Sequence, residues 1–133
     1  MQTQPSTVHD TDLGAIERLL GCYFDGLYDG DAALLAEAFH PMAHLYSVDS
    51  DGNAVDLPLA GWLERVQQRP SARSQGDARD DRIVLVDQSG PNTAFAKVNC
   101  QLPPRYFTDY LTLARIEGAW RIVAKAFHAD TRP

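Results

Sequence analysis

The chain has 133 residues, 44% hydrophobic and 23% charged, with 18 acidic against 12 basic residues and a net charge of −6. That length holds one domain with a real core and leaves no room for a second. The acidic balance argues against general nucleic-acid binding, which needs a basic footprint, and against docking on anionic membrane surfaces.

Residues 1–8 read as a loose tail. Asp10 or Thr11 can cap a first helix, in which Ile16, Leu19, Leu20, Tyr23, Phe24 and Leu27 recur with the 3.6-residue period. Gly30 is the stop signal, Asp31 the next N-cap, and residues 32–39 form a short second helix that ends at Pro41. The period then changes. Residues 43–49 alternate like a strand, and Asp51-Gly52 turns the chain into a short strand near 53–56. Pro58 opens a third helix to about Gln68, with Trp62, Leu63 and Val66 as its apolar stripe. Residues 70–80 are polar loop. Four strands follow over 82–87, 93–102, 105–116 and 119–129. They are joined by Ser89-Gly90-Pro91-Asn92, Pro103-Pro104 and Glu117-Gly118. Connections this short imply antiparallel neighbours. The predicted architecture is α+β: a curved, mostly antiparallel sheet with the helices on one face, over residues 9–129, and a short tail at 130–133.

The last hairpin carries the strongest chemical signal. If Glu117-Gly118 is a two-residue turn, simple alternation puts Phe107, Asp109, Leu111, Leu113, Trp120, Ile122 and His128 on one face. Tyr110, Arg121, Val123, Lys125 and Phe127 then fall on the other. Asp109 and His128 become diagonal neighbours inside an apolar face. A carboxylate beside an imidazole in such a place suits general acid/base chemistry, and a structural ion pair would look the same. Tyr46 and Trp62 are candidates for the mouth of a cavity, Tyr23 and Phe39 for deeper positions, and Val98 and Phe107 for its wall. A metal site is not expected: His40 and His44 are four apart, but Pro41 breaks the helix that would aim them together. No phosphate-cradling glycine pattern and no other cofactor signature is present, so no cofactor is expected. The cluster Arg65, Arg69, Arg73, Arg79 and Arg82 is diluted by acids and reads as a solvated helix end and loop.

The two cysteines, Cys22 and Cys100, lack metal-ligand spacing and read as buried free thiols of a reducing cytoplasm. No run of about 18 apolar residues exists to span a membrane, and residues 1–12 lack the basic start and apolar stretch of a signal peptide.

The element order, with the phrases YFDGLYDGD (Tyr23–Asp31), AFHP (Ala38–Pro41), DYLTL (Asp109–Leu113) and WRIVAKAFH (Trp120–His128), resembles the nuclear transport factor 2-like superfamily. Within it, the similarity points to the putative lumazine-binding branch, near the SnoaL-like proteins. The resemblance implies a cone: a strongly bent sheet around helices, with a cavity at the open end, commonly as a homodimer. Related folds include ketosteroid isomerases, scytalone dehydratases and polyketide cyclases, in which a cavity acid or histidine does acid/base work. Three functions stay open. One is a cofactor-free lyase or isomerase with Asp109 as base, His128 as its partner and a tyrosine polarising a carbonyl. Another is a non-catalytic module for a flat heterocycle of the pterin or flavin kind. The third is a dimeric interaction protein whose cavity is a by-product. A dimer would join through the outer sheet face at Tyr110, Val123 and Phe127, beside Phe95.

Overall fold

The computed structural model describes residues 10–132. Three helices, α1 (Asp10–Asp29), α2 (Ala32–Ala38) and α3 (Leu59–Gln68), pack on one six-stranded sheet. The strands are β1 (Phe39–Val48), β2 (Ala54–Pro58), β3 (Arg82–Ser89), β4 (Thr93–Leu102), β5 (Arg105–Ile116) and β6 (Ala119–Thr131). Their spatial order is β2-β1-β6-β5-β4-β3. All neighbours are antiparallel except β1 with β6, which places the N-terminal half of the chain beside its last strand. The tail at 1–8 lies outside the described residues.

The helical hairpin forms as its capping residues require. Gly30 takes φ +64°, which only glycine adopts cheaply, and Asp31 Oδ1 accepts the Leu34 amide at 3.0 Å to start α2. The two helices touch where α1 has no side chain. A Cβ on Gly26 would lie 2.7 Å from Leu35 Cγ and 2.8 Å from Leu35 Cδ2. Gly26→Ala is therefore expected to destabilise the protein by about 1–3 kcal/mol through overpacking. Gly21→Ala, on the same helix with nothing within 4 Å, should instead be neutral or stabilising by about 0.5–1 kcal/mol. Urea unfolding of both variants checks the contrast, and equal effects would refute the close approach.

Phe39 does not end α2. It opens β1, and Pro41 lies within that strand. The pairing of β1 with β6 is irregular between Phe39 and His44, so the proline, which has no N–H to give to a ladder, occupies a break in the ladder. The core lies between α1 and the concave face of the sheet. Ile16, Leu20 and Tyr23 of α1 meet Val98, Leu111, Leu113 and Ile122, all of them fully buried. Asp12 anchors the start of α1 to the sheet: its Oδ2 accepts from Gln88 Nε2 at 2.8 Å and its Oδ1 from Arg115 Nη2 at 2.7 Å.

The final hairpin turns in two residues. Glu117 and Gly118 both have positive φ, 52° and 81°, and Ile116 faces Ala119, as a primed turn demands. The expected parity nevertheless fails four residues later. Leu113 pairs with Ile122 but Thr112 pairs with Ala124, so Val123 is an extra residue on β6. A bulge of this kind shifts the register by one and reverses which side chains face the core. Beyond it Lys125 and Phe127 point inward, opposite Leu111 and Asp109, while His128 falls opposite Thr108 on the outer side.

Candidate functional site

A cavity of about 460 Å³ opens at the wide end of the sheet. Strand β1 lines it with Leu45 and Ser47, β2 with Val55 and Leu57, and α3 with Trp62 and Arg65, followed by its C-cap Arg69. The opposite wall is Cys100 and Leu102 of β4, Arg105 and Phe107 of β5, and Lys125 and Phe127 of β6.

The inner wall holds the chemistry. Lys125 is 4% exposed, a position where a lone ammonium would be strongly disfavoured. Two features satisfy it. Its Nζ lies 3.9 Å from Asp109 Oδ2, at the outer limit of a direct ion pair. It also sits 4.9 Å from the Phe127 ring centroid, 5.0 Å from Trp62, 5.4 Å from Tyr23 and 5.9 Å from Phe107. Ring faces carry partial negative charge, and such contacts gain strength where water is excluded. Four rings thus form a cage around one buried cation.

Asp109 is completely buried behind that lysine. Its Oδ2 accepts the Tyr23 hydroxyl at 2.6 Å, with the Cys100 thiol 3.8 Å away. Its Oδ1 is buried with no hydrogen-bond partner. Burial, and then the Asp109 charge, push the Tyr23 hydroxyl well above its ordinary range, so tyrosine is the donor in this bond. Burial and Asp109, in the same order, push the Cys100 thiol up as well, so it stays protonated and unreactive. Asp109 itself does not line the cavity; Lys125 and Cys100 stand between.

The candidate residues therefore separate. Trp62 and Phe107 do line the cavity. Tyr23 and Phe39 are fully buried core, in edge contact with each other at 5.8 Å, and Phe39 meets Trp62 at 5.3 Å. Val98 is buried core opposite Asp109 rather than cavity wall. Tyr46 is 43% exposed and stacks on His44, away from the cavity. The expected Asp109–His128 pair does not form. His128 borders the cavity, but its side chain is 74% exposed and shares a hydrogen bond of 2.8 Å with Asp130, because the bulge at Val123 turns it away from Asp109. Phe127 leaves the proposed outer patch for the same reason. Among the described residues no group of three or more His, Cys, Asp or Glu side chains could hold a metal, and no helix is long and apolar enough to cross a membrane.

The model of the family described as putative lumazine-binding matches residues 11–128. The chain belongs to this family. Among curated proteins, an aldolase, FrzH of a Cladobotryum species, is 28% identical over 113 residues, 84% of this chain and 86% of the relative. Among solved structures, a nuclear transport factor 2-like protein of Shewanella baltica superposes with a TM-score of 0.84 at 24% identity, covering 95% of this chain and 99% of that one. A ketosteroid isomerase-like protein of Erwinia carotovora superposes at 0.72 with 13% identity, covering 93% and 100%. These structural likenesses establish the nuclear transport factor 2-like α+β cone, and the family a small-molecule-binding domain.

Sequence reasoning missed Lys125, which alternation placed outside. One signal was available: Ala124 and Ala126 make a poor core face, while Phe127 is a large apolar side chain left facing water. It also missed Arg65 and Arg69. Arg65 stands three residues after Trp62 on the same stripe of α3, so an inward Trp62 carries it to the cavity, and Arg69 follows as the extended residue that caps the helix.

Proposed function

We infer that this family member binds a small organic carbonyl compound in the cavity and, without a cofactor, catalyses proton transfer next to that carbonyl, as a lyase or isomerase would. The observation that carries the reading is the Lys125–Asp109 pair at the inner wall of an open cavity. An ammonium held in a water-poor cage is placed to polarise a carbonyl oxygen and stabilise the enolate that forms when an adjacent carbon loses its proton. Asp109, with one oxygen unpaired, is the proton acceptor once the substrate oxygen has drawn Lys125 aside, since Lys125 otherwise screens it from the cavity, and Tyr23 fixes its orientation. Lys125 thus takes the place expected for His128, and also the polarising part expected for a tyrosine. Aldol chemistry in general passes through the same kind of intermediate, and the Cladobotryum relative is an aldolase.

The test is deuterium exchange. Small cyclic ketones and diketones, incubated with the protein in deuterium oxide, are expected to exchange at the α-carbon above the buffer rate. Lys125→Met should reduce that exchange by about 10²-fold or more. Exchange no faster than buffer across the panel would defeat the catalytic reading. A second reading, binding of a flat heterocycle, is favoured by the rings of Trp62, Phe107 and Phe127 on the cavity wall and by the family's description. Saturable quenching of tryptophan fluorescence by lumazine in a Trp120→Phe background, without exchange on any ketone, would select it. An open cavity of this size supports either reading over a purely interacting protein.

The protein is further proposed to be a homodimer of the reducing cytoplasm, through the outer face of β3–β5. Leu85 and Tyr110 are each about half exposed there, and Tyr110 stacks on Phe95 at 6.5 Å. Light scattering should give twice the chain mass at micromolar concentration, and Tyr110→Arg should halve it. A wild-type monomer would refute the dimer.

A further inference from the structure

The cavity's charge is opposite to that of the chain. Arg65, Arg69, Arg105 and Lys125 line it against a single carboxylate, Asp49, in a protein of net charge −6. Lys125 has Asp109 behind it. Arg65 sits in the last turn of α3, where a cation complements the helix dipole. Arg69 and Arg105 have neither explanation. Arg73, Arg79, Arg82 and Arg115 each reach a carboxylate, but among the described residues no carboxylate lies within ion-pair distance of Arg69 or Arg105.

These two guanidinium groups instead line the same cavity. Burial first, and then the charge of Arg105, lower the Arg69 pKa. Arg69 and Arg105 are both exposed side chains, and the surface they expose opens into the cavity. Arg105 is held in place by Phe107, with Cζ 4.9 Å from the ring centroid. Phe107 also belongs to the cage of Lys125. Both arginines border a second, adjoining cavity of about 200 Å³, so they stand at the junction of the two spaces. Asp49, across the mouth, already accepts the amides of Asp51 and Asn53 through Oδ1. Two like charges on one cavity without a carboxylate partner favour an anion placed between them, and paired guanidinium forks fit a carboxylate or phosphate.

We propose that the ligand is an anion whose carboxylate or phosphate group sits between Arg69 and Arg105, while its uncharged body extends inward to Lys125. The proposal rests on the reading of this cavity as the binding site and adds to it the class of molecule. It also assigns Arg69 and Arg105 as specificity-determining residues.

The experiment titrates the full chain at low ionic strength with benzoate, phenyl phosphate and neutral benzamide, by calorimetry. The variants are Arg69→Gln, Arg105→Gln, Arg82→Gln as a control outside the cavity, and Ser47→Trp to fill it. The expected result is that one or both anions bind and benzamide does not. Each of Arg69→Gln and Arg105→Gln should weaken the anion on the order of tenfold, since a charge-assisted hydrogen bond is lost. Arg82→Gln should leave it unchanged and Ser47→Trp should abolish it. Tighter binding of benzoate or of phenyl phosphate decides between the two anions. Equal binding of benzoate and benzamide, abolished by Ser47→Trp but untouched by the arginine variants, would overturn the anion site and leave the cavity reading intact. Anion binding that survives Ser47→Trp, or no binding of any probe, would overturn both.

Discussion

Asp109→Asn is expected to cost about 3–5 kcal/mol of stability, a large share of what a domain of this size has. The change is nearly isosteric, and the amide oxygen can still accept from the Tyr23 hydroxyl, so packing and that hydrogen bond survive. What is lost is the negative charge beside a lysine that is 4% exposed. The four rings around Nζ offset part of the resulting burial penalty, but they attracted the ammonium before the mutation too and cannot replace the carboxylate. Lys125→Met should be destabilising for the mirror reason, since the buried Asp109 would lose its cation and keep Tyr23 as the one strong donor. The double variant removes both charges and should recover most of the loss, because uncharged groups of similar shape leave nothing stranded. Guanidinium unfolding of the four proteins gives the coupling directly. Additive single effects would mean that 3.9 Å marks proximity without interaction. The cycle also separates structure from chemistry, since a double variant that folds well but exchanges no α-proton shows that the pair is retained for function.

Rising pH should unfold the protein in two stages whose order identifies the groups. Cys100 and Tyr23 are both raised by burial first and by Asp109 second, from ordinary values of 9.0 and 10.0. Below pH 9 both are protonated in the folded and unfolded chain alike, and their contribution is fully present. Above pH 9 the unfolded chain releases the Cys100 proton while the fold retains it, and above pH 10 the same holds for Tyr23. Each group then removes about 1.4 kcal/mol per pH unit, together about 2.7, until the folded-state values are reached. Urea midpoints at pH 8, 9.5 and 11 measure this, in a Cys22→Ser background that removes the other thiol. Cys100→Ala should flatten the first stage and Tyr23→Phe the second. An unchanged slope in both variants would show that water reaches the site in the folded state.

Lys125 rather than His128 beside Asp109 also changes the chemistry on offer. An imidazole beside a carboxylate is a proton shuttle, whereas an ammonium there is suited to holding an oxyanion.

The order of elements followed from local rules. Gly30 and Asp31 separate two helices because one adopts positive φ and the other caps. The two-residue turn at Glu117-Gly118 followed from backbone preference, and the small inward residues Ala94, Ala96 and Cys100 from simple alternation along β4. From these, with the phrases at Tyr23–Asp31 and Trp120–His128, the α+β cone and its family could be read directly. The depth of burial of Asp109 was legible too, from the leucines two and four residues after it. Its partner was not. One unpaired residue, Val123, reverses every side chain beyond it, and whether a strand accommodates an extra residue depends on the curvature its neighbours impose, which the run Arg121–Lys125 does not encode locally. Likewise Arg69 and Arg105 lie 36 residues apart, one at the end of a helix and one at the start of a strand. Their meeting at one cavity mouth is a product of how α3 crosses the open end of the sheet. Local sequence determined which groups are present and the elements that carry them; long-range packing alone decided which charges face one another.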